Sequence, residues 1–248
     1  MNWKKIAAPY YLIVLIIHCG LLGMELTTVS KFSKALLMPL LLVYLYKAIS
    51  KPFMAGITGP TTDHEGNVLS TRPISKPAIV VAFLASWAGD LFLIFEGQLF
   101  FIAGMLSFMT AHICYIYLFN QIQPYQKKHA LIPLLIGFIV LHFGNDVMSA
   151  IRPSLEKILI LPIYIYIFII TLMVMFAFMT FVLPDTKYWG QNFFTVGAVC
   201  FVISDMFLAL NIFSFHNIWI GVWVMITYGL AQYLLAKGFS SYLLRNNA

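Results

Sequence analysis

Two aspartates stand where an acid is least expected. Asp90 lies in the run Trp87-Ala88-Gly89-Asp90-Leu91-Phe92-Leu93-Ile94-Phe95-Glu96, and Asp205 in Val202-Ile203-Ser204-Asp205-Met206-Phe207-Leu208-Ala209-Leu210-Asn211. Both runs read small residue, Asp, apolar residue, Phe, Leu, and then a polar residue six places after the Asp. An ionisable group inside a membrane-length apolar run is costly and marks a functional site by default. Two carboxyl groups in a partly desolvated site can hold one proton between them, so that one donates while the other accepts. The structural alternative is an acid paired with a lysine or hydrogen-bonded to a neighbouring helix.

Other polar side chains fall at membrane depth. His112 is either a proton donor or substrate contact, or a hydrogen-bonded structural residue. His18 and His142 lie in other apolar runs. Three His and an Asp could in principle hold Zn(II), but no pair of them shares the close helical spacing of such sites, and no metal is expected. Lys34 starts a span as Ser33-Lys34-Ala35-Leu36-Leu37-Met38-Pro39. It either anchors at the interface with a snorkelling stem or reaches a lipid phosphate or one of the acids. Pro39 has no N–H and should free a backbone carbonyl one turn earlier. Glu96 is expected at the interface, and Asn211 could orient a substrate or water. Tyr115, Tyr228 and Gln232 are candidates for substrate contact, or for hydrogen bonds that pack helices. Tyr228 and Gln232 are four apart and share a helix face.

These residues need a scaffold that a bilayer accepts. The chain of 248 residues is 61% hydrophobic and only 10% charged, with a mean hydropathy of +0.89. That composition excludes an ordinary soluble domain and implies one polytopic all-α membrane bundle over 1–248. The net charge of +6 comes from basic residues set singly or in pairs between apolar runs. This is the pattern of topology signals and headgroup contacts, not of a nucleic-acid surface. Cys19, Cys114 and Cys200 all lie in apolar runs, which argues against a disulfide framework.

About 20 apolar residues make a span, and eight stretches qualify: 6–24, 34–50, 77–95, 98–120, 130–145, 156–183, 191–212 and 216–239. The fifth is short and interrupted by Pro133 and Gly137. The first follows Lys4-Lys5 without a small-x-small cleavage site and is expected to remain as a span. With the N-terminus inside, eleven Lys and Arg fall on the cytoplasmic side and four (Lys31, Lys34, Arg152 and Lys157) outside. Both termini are therefore expected in the cytoplasm. The long loop at 51–77 is rich in Gly, Pro and charge, with room for a short hairpin. Its Asp63-His64-Glu65 cannot easily converge on one ion. The turns Glu96-Gly97-Gln98 and Ser214-Phe215-His216 are short and force antiparallel helical hairpins.

The two hairpins resemble one another. Met109-Thr110-Ala111-His112 falls opposite Met225-Ile226-Thr227-Tyr228, and Asp90 opposite Asp205, at offsets of 116 and 115 residues. Four spans separate the copies, so both run the same way, as in a four-plus-four parallel repeat. The two acids would then lie at similar depth across one cavity.

Several of these segments together resemble the YhhN family of bacterial membrane proteins and animal transmembrane 86 proteins. They are Lys34-x-x-x-x-Pro39, Gly89-Asp90-x-x-Leu93, Gly104-x-x-x-Phe108-x-x-x-His112-x-x-Tyr115, Ser204-Asp205 and Tyr228-x-x-x-Gln232. Their order runs through nearly the whole chain, leaving out the loop at 51–77. The resemblance implies an integral protein of a bacterial inner membrane and a lysoplasmalogenase. That enzyme hydrolyses the vinyl-ether bond of a lysoplasmalogen to a fatty aldehyde and glycerophospho-ethanolamine or -choline. It implies Asp90 and Asp205 as catalytic residues. Lys34, His112, Tyr115, Asn211, Tyr228 and Gln232 are candidates to hold the substrate.

That chemistry suits two acids. A vinyl ether is cleaved by protonating its outer alkene carbon, which leaves an oxocarbenium ion. Water adds, and the hemiacetal collapses to aldehyde and alcohol. A carboxylic acid, a carboxylate to stabilise the cation and a base for water meet the need, as in glycoside hydrolysis. No cofactor is required, the partners are a lysophospholipid and membrane lipid, and no obligate protein partner is evident. Two other classes share the same residues. A proton-coupled transporter also uses repeats, intramembrane acids and Pro- or Gly-interrupted spans, and a metal-dependent lipid hydrolase would use the histidines.

Overall fold

The computed structural model describes residues 3–50, 61–62, 68–69, 74–182 and 189–245. Eight helices occur among them: α1 (Trp3–Gly23), α2 (Thr27–Ser50), α3 (Lys76–Phe92), α4 (Gln98–Ile122), α5 (Leu131–Ile151), α6 (Lys157–Val182), α7 (Trp189–Leu210) and α8 (Ile218–Arg245). Six, namely α2 and α4 to α8, carry stretches long and apolar enough to cross a membrane. The apolar stretch of α1 is shorter, Ala8–Gly23, and α3 has 17 residues. The protein is an all-α membrane bundle. Its outward faces are crowded with exposed Ile, Leu, Phe and Trp, an arrangement stable against lipid and not against water.

Several expected boundaries move: α3 stops at Phe92 and α8 runs on past 239 to Arg245. α2 begins at Thr27, so Lys34 sits about two turns into the helix instead of at its start. α5 runs on past 145 to Ile151 and into a 3₁₀ turn, Arg152–Ser154. Pro133 does not interrupt it, because a proline in the first turn lacks only an N–H that would have no helical partner. Most of the 51–77 loop, with its Asp63-His64-Glu65 cluster, lies outside the described residues. Within it, Thr61–Thr62 (β1) pairs antiparallel with Val68–Leu69 (β2).

Consecutive helices pack as hairpins, α1 with α2, α3 with α4 and α7 with α8, while α6 bridges α4, α5 and α7. The Ser75 hydroxyl caps α3 by accepting from Ala78 N at 3.3 Å, with Pro77 in the first turn. The α3–α4 turn passes through Gly97 at φ +118, a conformation that a side chain would strain. α7 ends in a π-turn, Asn211–Phe215, and His216 adopts left-handed φ 49. The Asn211 side chain closes this turn by accepting from Asn217 N at 2.7 Å.

The bundle is filled differently in its two halves. Toward one end, Tyr115, Phe119, Phe194 and Phe239 stack as a fully buried aromatic core. The other half, near the α1–α2, α3–α4 and α7–α8 turns, holds both acids.

Candidate functional site

Asp90 is one turn from the end of α3 and only 2% exposed. Its Oδ2 accepts a hydrogen bond from the Tyr228 hydroxyl of α8 at 2.7 Å. The Lys34 ammonium of α2 stands 3.7 Å from its Oδ1. A buried carboxylate needs a partner charge and hydrogen bonds, and here both arrive from other helices. The approach depends on Gly89. A Cβ at this position would meet the Phe108 ring at 2.7 Å, so glycine lets α4 lie close against α3 beside the acid.

Asp205 on α7 is 13% exposed at its side chain. Its Oδ2 accepts from the Tyr166 hydroxyl of α6, and His112 Nε2 of α4 lies 3.7 Å away. His112 Nε2 is also 3.0 Å from the Tyr166 oxygen. The Tyr166 hydrogen goes to Asp205, so Nε2 must carry the imidazole proton and donate it to Tyr166. His112 Nδ1 is then an unprotonated nitrogen, buried without a partner. His112, Tyr166 and Asp205 form a continuous chain of hydrogen bonds directed at the Asp205 carboxylate.

The two acids are built alike and crosswise. The acid of the α3–α4 hairpin is held by Tyr228 from α8, and the acid of the α7–α8 hairpin faces His112 from α4. One ring, Phe201, stands against both clusters: its centroid is 4.6 Å from His112 and 5.5 Å from Tyr228.

Three cavities meet here. The first is a partly open cavity of about 90 Å³ between α4, α5, α6 and α7, lined by Phe101, Met105, Phe108, Ile163 and Tyr166, with Asp205 on its wall. Its lining is almost wholly apolar, as a hydrocarbon chain would require. The second carries polar groups among apolar ones, with His18, Lys31, Lys34 and Asn211 beside Leu22, Ile94 and Val224 on its walls. Leu93 and Leu208 line both, so the two adjoin. The third, at the turns, has Glu96, Gln98 and Glu156 at its mouth and shares Leu93, Phe101 and Phe213 with the first. Glu96 is exposed there, and Gln98 donates to Glu156 at 2.9 Å.

Of the residues singled out in sequence, Asp90, Lys34 and Tyr228 form one cluster, Asp205 and His112 the other, and Asn211 lines the second cavity. Tyr115 and Gln232 are elsewhere. The Tyr115 hydroxyl donates to Gln232 Oε1 at 3.1 Å within the aromatic core, and neither lines the three cavities. His142 pairs with Asp146 on an exposed face of α5. Among the described residues no three His, Cys, Asp or Glu side chains converge on a metal position. Sequence reasoning passed over Tyr166, and weighed His18 only as a metal ligand. Tyr166 stands in Ile163-Tyr164-Ile165-Tyr166-Ile167, where every neighbour is apolar and no periodicity separates the inward tyrosine from the outward one.

Comparison with known proteins finds a family and relatives. The sequence model of the YhhN family matches residues 29–239. Lysoplasmalogenase TMEM86A of Bos taurus is 29% identical over 174 residues, 70% of this chain and 69% of the relative. Lysoplasmalogenase TMEM86A of Homo sapiens is 29% identical over 163 residues, 65% of each chain. No solved structure matches.

Proposed function

The chain belongs to the YhhN family, and from that membership we propose that it is a membrane-embedded lysoplasmalogenase-like hydrolase. Its substrate is a lysophospholipid with a vinyl-ether chain, and its products are a fatty aldehyde and a glycerophospho-ethanolamine or -choline. The observation that carries the reading is the Asp205 carboxylate on the wall of an apolar cavity, with a second buried acid behind the same Phe201 ring. The names of the two mammalian relatives support the same activity.

In this reading the alkenyl chain occupies the apolar cavity and its vinyl ether lies beside Asp205. Asp205, protonated, gives its proton to the outer alkene carbon. The alkene electrons form the new C–H bond, and the ether oxygen becomes part of an oxocarbenium ion. Asp90, its charge balanced by Lys34 and fixed by Tyr228, stabilises the cation and orients water. Water adds to the carbon next to the oxygen and loses a proton to Asp205, which restores the acid. The hemiacetal hydroxyl then gives its proton to Asp90 as the C–O bond breaks, and Asp90 passes it to the departing glycerol oxygen. Tyr166, held by His112, fixes the Asp205 carboxyl between the two steps. The net reaction consumes one water.

The same reading takes the domain as single, all eight helices as spans and both termini as cytoplasmic, in a bacterial inner membrane. The crosswise contacts, Asp90 with Tyr228 and Asp205 with His112, support a four-plus-four repeat, since His112 and Tyr228 occupy matching places in the two hairpins. Purified protein should release aldehyde from an alkenyl lysolipid and none from its alkyl or acyl counterpart. Solute flux in proteoliposomes without any lipid product would replace this reading with a proton-coupled transporter.

A further inference from the structure

Beside the second cavity lies an orphan that the reaction does not use. His18 on α1 is 2% exposed, and its Nε2 is buried with no hydrogen-bond partner. Its other nitrogen, Nδ1, is 2.8 Å from the Ser33 hydroxyl. The Ser33 hydrogen goes to the Ser30 carbonyl at 2.9 Å, so His18 Nδ1 must be the donor in this pair. That fixes the tautomer. Neutral His18, which lines the cavity, therefore holds a bare acceptor just beneath the cavity wall, and a buried acceptor without a donor is unfavourable.

The rest of the cavity offers the opposite polarity. Lys31 and Lys34 line its walls, and the Lys34 ammonium faces Asp90 as well. The oxygen of the Asn211 amide is taken by Asn217 N at 2.7 Å, which leaves its NH₂ group as a donor. The cavity thus matches an anion that carries a hydroxyl donor close by. A phosphodiester without a neighbouring hydroxyl fits less well, because it has no hydrogen for His18.

We propose that this cavity is the glycerophosphate subsite of the lysolipid, in which Lys31, Lys34 and Asn211 take the phosphodiester and His18 Nε2 accepts from the free glycerol hydroxyl. The inference rests on the lysolipid reading above and adds a source of selectivity. Esterifying or methylating that hydroxyl removes the donor and sets an oxygen against the His18 lone pair. The site therefore rejects lipids with two chains, and does so by hydrogen bonding as well as by bulk. Leu93 and Leu208, shared with the apolar cavity, place the first chain next door.

Binding of non-hydrolysable alkyl-ether lipids to the purified protein in detergent tests this without relying on turnover. The probes are 1-O-alkyl-glycero-3-phosphoethanolamine, its 2-O-methyl analogue, and the phosphate-free 1-O-alkylglycerol. The parent should bind roughly tenfold to a hundredfold more tightly than either analogue. His18→Leu should abolish the preference over the 2-O-methyl analogue and keep the preference for phosphate. Lys31→Gln should do the reverse. Equal affinities of the wild-type protein for all three lipids overturn the proposal, and that comparison needs no variant to fold. Displacement of the parent lipid by inorganic phosphate as effectively as by glycerophosphoethanolamine also overturns it, in favour of a soluble-anion site. If the preferences hold but the alkenyl counterpart yields no aldehyde, the subsite stands and the hydrolase reading fails. If aldehyde forms without the preferences, the hydrolase stands and the subsite fails.

Discussion

The Tyr228 hydroxyl of α8 donates to Asp90 Oδ2 of α3 at 2.7 Å, across 138 residues of chain. With Lys34 on the other oxygen, it fixes the orientation of a carboxylate that the bilayer would otherwise exclude.

Asp90→Asn keeps the shape of this group and removes its charge. Release of aldehyde from a lysoplasmalogen in detergent should fall about a thousandfold, in the range of a lost acid or base. Tyr228→Phe removes one hydrogen bond and leaves the acid in place, so its loss should be about tenfold. Near-native turnover by Asp90→Asn would end the two-acid mechanism.

The donor chain from His112 through Tyr166 to Asp205 gives an ordered series. Asp205→Asn should lose about a thousandfold in kcat, and Tyr166→Phe, which interrupts the chain, roughly ten- to a hundredfold. Once Tyr166→Phe is present, His112→Gln should cost little more, because residues acting as one unit are not additive. Independent, multiplying losses would show that His112 acts on its own.

Gly89→Ala places a methyl group 2.7 Å from the Phe108 ring. Overpacking of this kind costs about 1–3 kcal/mol and should lower the thermal unfolding midpoint in detergent. Adding Phe108→Leu should restore part of the loss. A stable Gly89→Ala would mean that α3 and α4 can separate without consequence.

Trp87 Nε1 donates to the Ala35 carbonyl at 2.9 Å. This carbonyl has no helical donor, because the residue one turn on is Pro39. Trp87→Phe should leave it unpaired and cost about 1–3 kcal/mol. In a Pro39→Ala background, where the helix supplies its own N–H, the same change should cost clearly less. A double-mutant cycle on unfolding midpoints reads the difference.

Tyr115→Phe separates packing from substrate contact. The Tyr115–Gln232 bond lies in the aromatic core, away from the three cavities. The variant should lose about 1 kcal/mol of stability and keep its KM. A raised KM with unchanged stability would return Tyr115 to the substrate.

The sequence by itself determined what a bilayer forces into view. Apolar length set the helices, and a charge inside such a length singled out Asp90 and Asp205. A proline without an N–H announced the orphan carbonyl that Trp87 meets. Each of these is a local conflict with lipid, readable from a single segment. What the tertiary structure decided is which groups resolve the conflicts. It matched Asp90 with Tyr228 and Lys34, drew Tyr166 out of an apolar stretch of α6 to Asp205, left His18 with an unpaired nitrogen beside a cavity, and joined Tyr115 to Gln232 in the core. In a soluble helix a polar face betrays which side is buried. In a membrane helix both sides are apolar, so inward and outward tyrosines look the same until neighbouring helices are in place.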